Sequence, residues 1–309
     1  MGLALRDPFA WDDLAELARH AESRGVTALF LPEITSRDTL AAITGLAGET
    51  SELLLGTGVV PLPSRSPQLL AMAAATAQER SGGRLVLGIG TGPTGPGALD
   101  RLRETVAGLR TALDGGRAAI GNERIELSLI PPSPPPVWIA ALGPRAVRLA
   151  GEVADGVLLN WCTPARIARA RDELAEGAAA AGRDPAAVTV GVYVRACLGG
   201  NDDEALAAAR HAAGEYASYP AYARQMTSLG FGDEVSAAAA AHAAARPQDV
   251  PEQLVREVVL LGDPAAARDR LEAFRAAGAD LRVVYPIVPP GRPAPAAITG
   301  TLEALIPPR

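Results

Sequence analysis

The chain contains no lysine; all 29 of its basic residues are arginine. That absence removes Schiff-base and pyridoxal-phosphate chemistry, the phosphate-binding P-loop lysine and any lysine proton donor. Chemistry must then come from three histidines, two cysteines, carboxylates, hydroxyls or a cofactor. His20, His211 and His242 sit in alanine- and glutamate-rich helical surroundings, away from glycine-rich turns, and read as structural. Cys162 and Cys197 are too few and too far apart for a disulfide framework or a zinc site, and fit a reducing, cytoplasmic compartment.

Glycine at the ends of apolar runs is the stronger signal. Leu55-Gly56-Thr57-Gly58-Val59-Val60-Pro61, Leu87-Gly88-Ile89-Gly90-Thr91-Gly92-Pro93 and Ala140-Ala141-Leu142-Gly143-Pro144-Arg145 all show it. Such glycines let backbone approach a flat or anionic ligand, with N–H groups donating to it. One such loop alone is ordinary turn geometry; three on one face point to a cofactor. Gly88-x-Gly90-x-Gly92 is a poor dinucleotide fingerprint, because prolines and glycines follow where a helix should begin. Gly143-Pro144-Arg145 fits a phosphate better: a helix follows at once, with proline at its first position. An ordinary proline-capped helix start fits the same spacing.

These turns need elements to carry them. Short, continuously apolar runs alternate with helical stretches: Leu3–Leu5, Ala28–Leu31, Leu53–Val60, Leu85–Leu87, Val137–Ala140, Val157–Leu159, Val188–Val194 and Leu281–Tyr285. Runs of that kind are strands covered on both faces. Eight strand–helix units predict a single-domain α/β fold over 1–309, a (β/α)8 TIM barrel, with a doubly wound open sheet as competitor. A hairpin around Asn122 and a proline cluster at 131–136 precede the fifth strand. An alanine-rich helical insertion, about 201–251, lies between strands seven and eight and suits an active-site cap or a homodimer contact. The net charge of −6 and an aromatic content of 4% argue against a nucleic-acid surface. No apolar run approaches ~20 residues, so no membrane span is expected. Met1–Arg6 lacks a basic region followed by an apolar stretch, so no signal peptide is expected.

The glycine-bearing blocks also carry a resemblance. Gly56-Thr57-Gly58-Val59, Arg65-Ser66-Pro67 and the run from Ser81 through Gly92 are similar to the luciferase-like monooxygenase family. So are Leu142-Gly143-Pro144-Arg145, the block Leu149–Val157 containing Ala154-Asp155-Gly156, and Leu261-Gly262-Asp263-Pro264. Leu159-Asn160-Trp161, with Thr163-Pro164 after it, most resembles the branch using coenzyme F-420, an 8-hydroxy-5-deazaflavin. The other main branch uses reduced flavin mononucleotide (FMN) and oxygen.

The resemblance implies an oxidoreductase passing hydride between the deazaflavin and a small organic substrate. It implies a non-proline cis peptide at Gly58-Val59 behind the ring, with Thr91 and Gly92 along the ring or its ribityl chain. Ala141, Leu142, Gly143, Pro144 and Arg145 would hold the ring edge and phosphate, and Asn160 and Trp161 would face the cofactor or substrate. For Trp161 the alternative is core packing. Arg65 would steer a substrate carboxylate or the acidic coenzyme tail, or stand solvated. The family's Asp-His pair is here Glu33-Ile34, and the glutamate that some members carry after Gly-Thr-Gly is here Pro93. Glu33 is the remaining candidate acid, or else a cap for the Ser36–Asp38 turn. Alternatives are an FMN-dependent two-component monooxygenase and a non-catalytic flavin-binding paralogue.

Overall fold

The computed structural model describes residues 1–306 apart from 7, 93 and 94. Its principal strands are β1 Gly2–Ala4, β2 Ala28–Leu31, β3 Leu54–Thr57, β4 Leu85–Gly90, β5 Val137–Ala140, β6 Gly156–Asn160, β7 Thr189–Ala196 and β8 Leu281–Pro286. The fold is the expected (β/α)8 barrel. A doubly wound sheet would reverse its strand order at a switch point. Here β1 to β6 follow chain order, each parallel to the one before. The chain forms two compact units, Met1–Leu158 with Asp172–Val190, and Leu159–Arg171 with Gly191–Arg309.

In the first unit every residue of β1, β2 and β4 is buried, which explains why these strands read as continuous apolar runs. Helix starts follow local chemistry. The Asp38 carboxylate accepts from the Ala41 N–H at 3.0 Å to open Thr39–Leu46. Ser66 caps Pro67–Arg80 with proline at the first position. The helix Pro144–Val153 approaches Pro164–Ala180 so closely that a Cβ on Gly151 would meet the Leu174 carbonyl oxygen at 2.2 Å. The predicted hairpin is Ala118–Ile120 paired antiparallel with Glu123–Ile125. The proline connector then docks through Pro136, whose carbonyl accepts from the Leu87 N–H at 2.9 Å.

In the second unit β7 pairs in parallel with β8 from Gly191↔Leu281 to Ala196↔Pro286. The short strand Val259–Leu260 pairs with Arg195 and Ala196. The insertion is helical as expected: Asp202–Ala217, Pro220–Ser228, Gly232–Ala243 and Glu252–Val258. It continues to Val258 rather than ending near 251, because Leu254, Val255 and Val258 are needed to fill its core. That core is built largely from alanines 209, 213, 217, 238 and 241 with Met226 and Trp161. Small side chains let the helices approach closely, so the alanine content reflects packing and not only helix propensity.

The Glu22 carboxylate ties the loop before β3 to the end of helix Trp11–Ser23, accepting from the N–H groups of Ser51, Glu52 and Leu53 at 2.9, 2.7 and 2.8 Å. Burial opposes its charge, but the three backbone donors and Arg84 outweigh it and hold the carboxyl below its ordinary value. A depressed folded pKa stabilises above the unfolded value and is lost as pH falls through the folded one. Glu22→Gln should therefore cost about 1 kcal/mol of unfolding free energy at neutral pH. Denaturant titrations should show the gap closing as pH falls below about 4.3; an unchanged gap in acid would overturn this account.

Candidate functional site

The turn after β3 is built by close backbone approach. Thr57 Oγ1 donates to the Gly88 carbonyl at 2.6 Å, and the Gly58 N–H donates to the Leu31 carbonyl at 2.8 Å. The peptide Gly58-Val59 is cis, as the resemblance implied. Beneath it, a Cβ on Gly88 would meet the Thr57 carbonyl oxygen at 2.1 Å. A Cβ on Gly90 would meet Val59 Cγ2 at 2.9 Å and Ala140 Cβ at 3.5 Å. The ends of β4 and β5 thus converge on Gly58-Val59, and glycine is what permits it. Thr91 and Gly92 continue from β4, with Gly92 at φ 67 beside Pro63. Pro93 lies outside the described residues.

Next to this turn the Glu33 N–H reaches the Val59 carbonyl at 3.4 Å. Glu33 accepts from the Arg65 guanidinium, from Ser64 Oγ at 2.9 Å and from the Thr39 N–H at 3.3 Å. Arg65 also pairs with Asp38 at 3.2 Å and is 8% exposed. Burial works against the Arg65 charge, yet Glu33 and Asp38 outweigh it and raise its pKa. The solvated alternative for Arg65 is therefore not what forms. Glu33 braces the start of helix Thr39–Leu46, so the capping alternative is realised in its contacts.

At the end of β5, Ala141 is buried and its N–H donates to the Leu158 carbonyl at 3.1 Å. Leu142 follows, half-buried, and Gly143, Pro144 and Arg145 are exposed. Pro144 opens the helix as predicted, and no side chain caps it. A Cβ on Gly143 would meet nothing within 4 Å, so the face of this turn is open.

In the second unit, Asn160 and Trp161 belong to a polar and aromatic cluster. The Asn160 amide is engaged at both atoms: Nδ2 donates to Tyr222 Oη, and Oδ1 accepts from Arg195 Nη2, each at 3.2 Å. Gln225 Nε2 donates to the Asn160 and Trp161 carbonyls at 2.7 and 2.8 Å. Trp161 is fully buried at φ 52, its ring centroid 4.7 Å from that of Tyr216. Core packing is thus the environment that the structure gives it. Burial pushes the Tyr222 phenol up to about 12.

The luciferase-like monooxygenase family matches this sequence over residues 2–281. The chain belongs to that family. A 5,10-methylenetetrahydromethanopterin reductase of Methanolobus tindarius is 32% identical over 211 residues, spanning 63% of this chain and 63% of that relative's length. An F-420-dependent secondary alcohol dehydrogenase, solved in complex with an F-420-acetone adduct, superposes at a TM-score of 0.80 with 18% identity, covering 98% of both chains. The oxygenating constituent of 3,6-diketocamphane monooxygenase from Pseudomonas putida, in complex with FMN, superposes at 0.70 with 18% identity, covering 99% of this chain and 96% of that one. These superpositions show the shared barrel.

Cys162 and Cys197 are both buried, and the Cys197 thiol is pushed by burial up to about 11, which leaves it protonated and inert. Among the described residues no group of side chains suits a metal ion, and no helix is long and apolar enough to cross a membrane. His211 and His242 face each other with ring centroids 6.2 Å apart on two insertion helices.

In this member of the family, sequence reasoning missed Arg195, Tyr216, Tyr222 and Gln225. One signal was available: Tyr193 and Arg195 alternate on one face of an otherwise apolar strand, at the C-terminal end where barrels carry function. Tyr216, Tyr222 and Gln225 gave no such signal, since they lie on insertion helices whose composition reads as packing.

The Glu33–Arg65 pair yields a double-mutant test. Arg65→Ala leaves the Glu33 carboxylate, 12% exposed, without its main partner. It should lose about 3 kcal/mol in chemical denaturation. Adding Glu33→Gln removes the uncompensated charge and should restore at least about 1 kcal/mol of that loss. Additive losses would show that the pair is not coupled.

Proposed function

We propose that the chain is a coenzyme F-420-dependent oxidoreductase, transferring hydride between the deazaflavin and a small organic substrate. The observation that carries this reading is the closer superposition on the dehydrogenase bound to an F-420 adduct, 0.80, than on the FMN complex, 0.70. The Leu159-Asn160-Trp161 block points the same way. The relative from Methanolobus tindarius adds a protein named as a reductase.

The first unit fits such a group. The turn at Gly143 is open and uncapped, and Arg145 is exposed beside it. Helix-start N–H groups and a guanidinium are the donor set that a phosphate takes. The glycines of β4 let the Gly58-Val59 turn pack directly on the strand end, and this turn is what a flat ring would lie on. Bound deazaflavin supplies the hydride donor or acceptor, so no protein nucleophile is required, in keeping with a chain that lacks lysine. Gly58 and Val59 would support the ring face, and Thr91 and Gly92 its edge or chain. Ala141 and Leu142 would border the ring, and Gly143, Pro144 and Arg145 would hold the phosphate. Glu33 acts here as a positioning residue that holds Arg65 beside the turn, rather than as the proton donor. The shared barrel of the FMN-bound monooxygenase keeps an FMN-dependent reaction as the second reading.

Coenzyme choice is checked by fluorescence titration of the purified chain. F-420 should bind at micromolar concentration or below and FMN clearly more weakly. Tighter FMN binding with oxygen-consuming turnover would transfer the case to the monooxygenase.

The phosphate placement is checked at Gly143. Its φ of −90 suits any residue and its Cβ direction is open, so Gly143→Asp should fold and melt as the wild type does. The carboxylate would face the coenzyme phosphate, and affinity should fall by at least ~1.4 kcal/mol, a factor of about ten. Arg145→Ala should cost less, because its exposed charge is screened. Unchanged coenzyme affinity in Gly143→Asp would place the phosphate elsewhere.

A further inference from the structure

Arg195 is only 4% exposed, and among the described residues no carboxylate pairs with it. Its Nη2 donates to Asn160 Oδ1 and Tyr216 Oη, both neutral and both at 3.2 Å. Its buried Nε–H finds no acceptor among the described residues. The guanidinium carbon lies 3.6 Å from the Tyr285 ring centroid, 5.0 Å from that of Tyr216 and 5.1 Å from that of Trp161. Aromatic faces return part of the cost of desolvating a cation, but less than an uncompensated buried charge costs. Arg65, an arginine of the first unit whose side chain is 8% exposed, has two carboxylates around it. Arg195 has phenols, an amide and rings instead, so its charge is left for something outside the chain.

We infer that Arg195 anchors a binding site for a small organic carboxylate with an apolar or aromatic body. A guanidinium offers a planar fork of donors that matches a carboxylate, and one positive charge balances one negative charge. Among the described residues the groups that act on Arg195 are tyrosines and no second cation, so a phosphate dianion would remain half-compensated. Asn160, Tyr216 and Tyr222 are only half-buried, which gives the cluster an edge on solvent. The Tyr222 phenol, pushed up to about 12 by burial, stays a neutral donor at physiological pH. The rings of Tyr216 and Tyr285 supply the apolar walls that an organic body needs, with Trp161 packed behind Tyr216. The site lies wholly within the second unit, and its argument rests on the Arg195 charge rather than on the coenzyme assignment.

The test titrates the full, coenzyme-free chain with benzoate and hexanoate, with benzamide and hexanamide as neutral counterparts, and with inorganic phosphate. Melting temperature and tryptophan fluorescence are read together. At least one carboxylate should raise the melting temperature and bind about tenfold or more tighter than its amide. Arg195→Met should erase that preference while melting no lower than wild type, because it removes a desolvated charge and keeps volume. Asn160→Asp is nearly isosteric and sets an internal carboxylate against Arg195 Nη2. It should raise the ligand-free melting temperature and weaken carboxylate binding about tenfold or more. Equal binding of carboxylate and amide by the wild type would overturn the inference, as would a preference surviving in Arg195→Met or undiminished binding in Asn160→Asp. Phosphate binding tighter than either carboxylate would overturn the monoanion assignment. Should Arg195→Met fail to fold, Asn160→Asp and the wild-type comparison decide the matter.

Discussion

Where β4 passes the turn after β3, Gly88 lies so close to the Thr57 carbonyl that a Cβ would stand 2.1 Å from its oxygen. Backbone against backbone at that distance leaves no room for any side chain, and much of the first unit follows from it. The Thr57 hydroxyl can reach the Gly88 carbonyl, Val59 can settle over Gly90, and the Glu33 N–H can meet the Val59 carbonyl. What meets at these strand ends is main chain against main chain, with Gly58, Gly88 and Gly90 all buried.

The two units treat a buried positive charge in opposite ways. In the first, Arg65 is neutralised by Glu33 and Asp38, and the resulting knot holds the loop after β2, the segment before helix Pro67–Arg80 and the start of helix Thr39–Leu46 in one arrangement. A charge so compensated serves shape. In the second, Arg195 is held by rings and neutral acceptors, which position it without cancelling its charge. Desolvation without compensation is costly in a folded protein, and it persists where a ligand supplies the missing partner.

Much of this was legible in the residues themselves. Strands buried on both faces declare themselves as short unbroken apolar runs, so eight of them could be placed and the barrel named. Pro144 at a helix start, Ser66 before Pro67 and the turn at Asn122 are local decisions made by one or two residues, and each formed where its chemistry required. The glycines of Gly88-Ile89-Gly90 also announced a close approach, although not what would approach.

What the chain alone did not disclose is which side chains meet across long separations. Glu33 could be read as an acid or as a cap; only the fold brings Arg65, 32 positions away, against it. Trp161 could be read as a pocket wall or as core, and the insertion helices decide that by enclosing it. Arg195 meets Asn160 across 35 positions and Tyr216 across 21, and no one segment shows that the three come together. Periodicity, capping and turn chemistry act between near neighbours, so the sequence determined the elements, the barrel and the family's glycine-bearing turns. Charge compensation and burial depend on distances between remote residues, and for that reason the tertiary structure alone decided that Arg65 is paired with carboxylates and Arg195 with neutral groups.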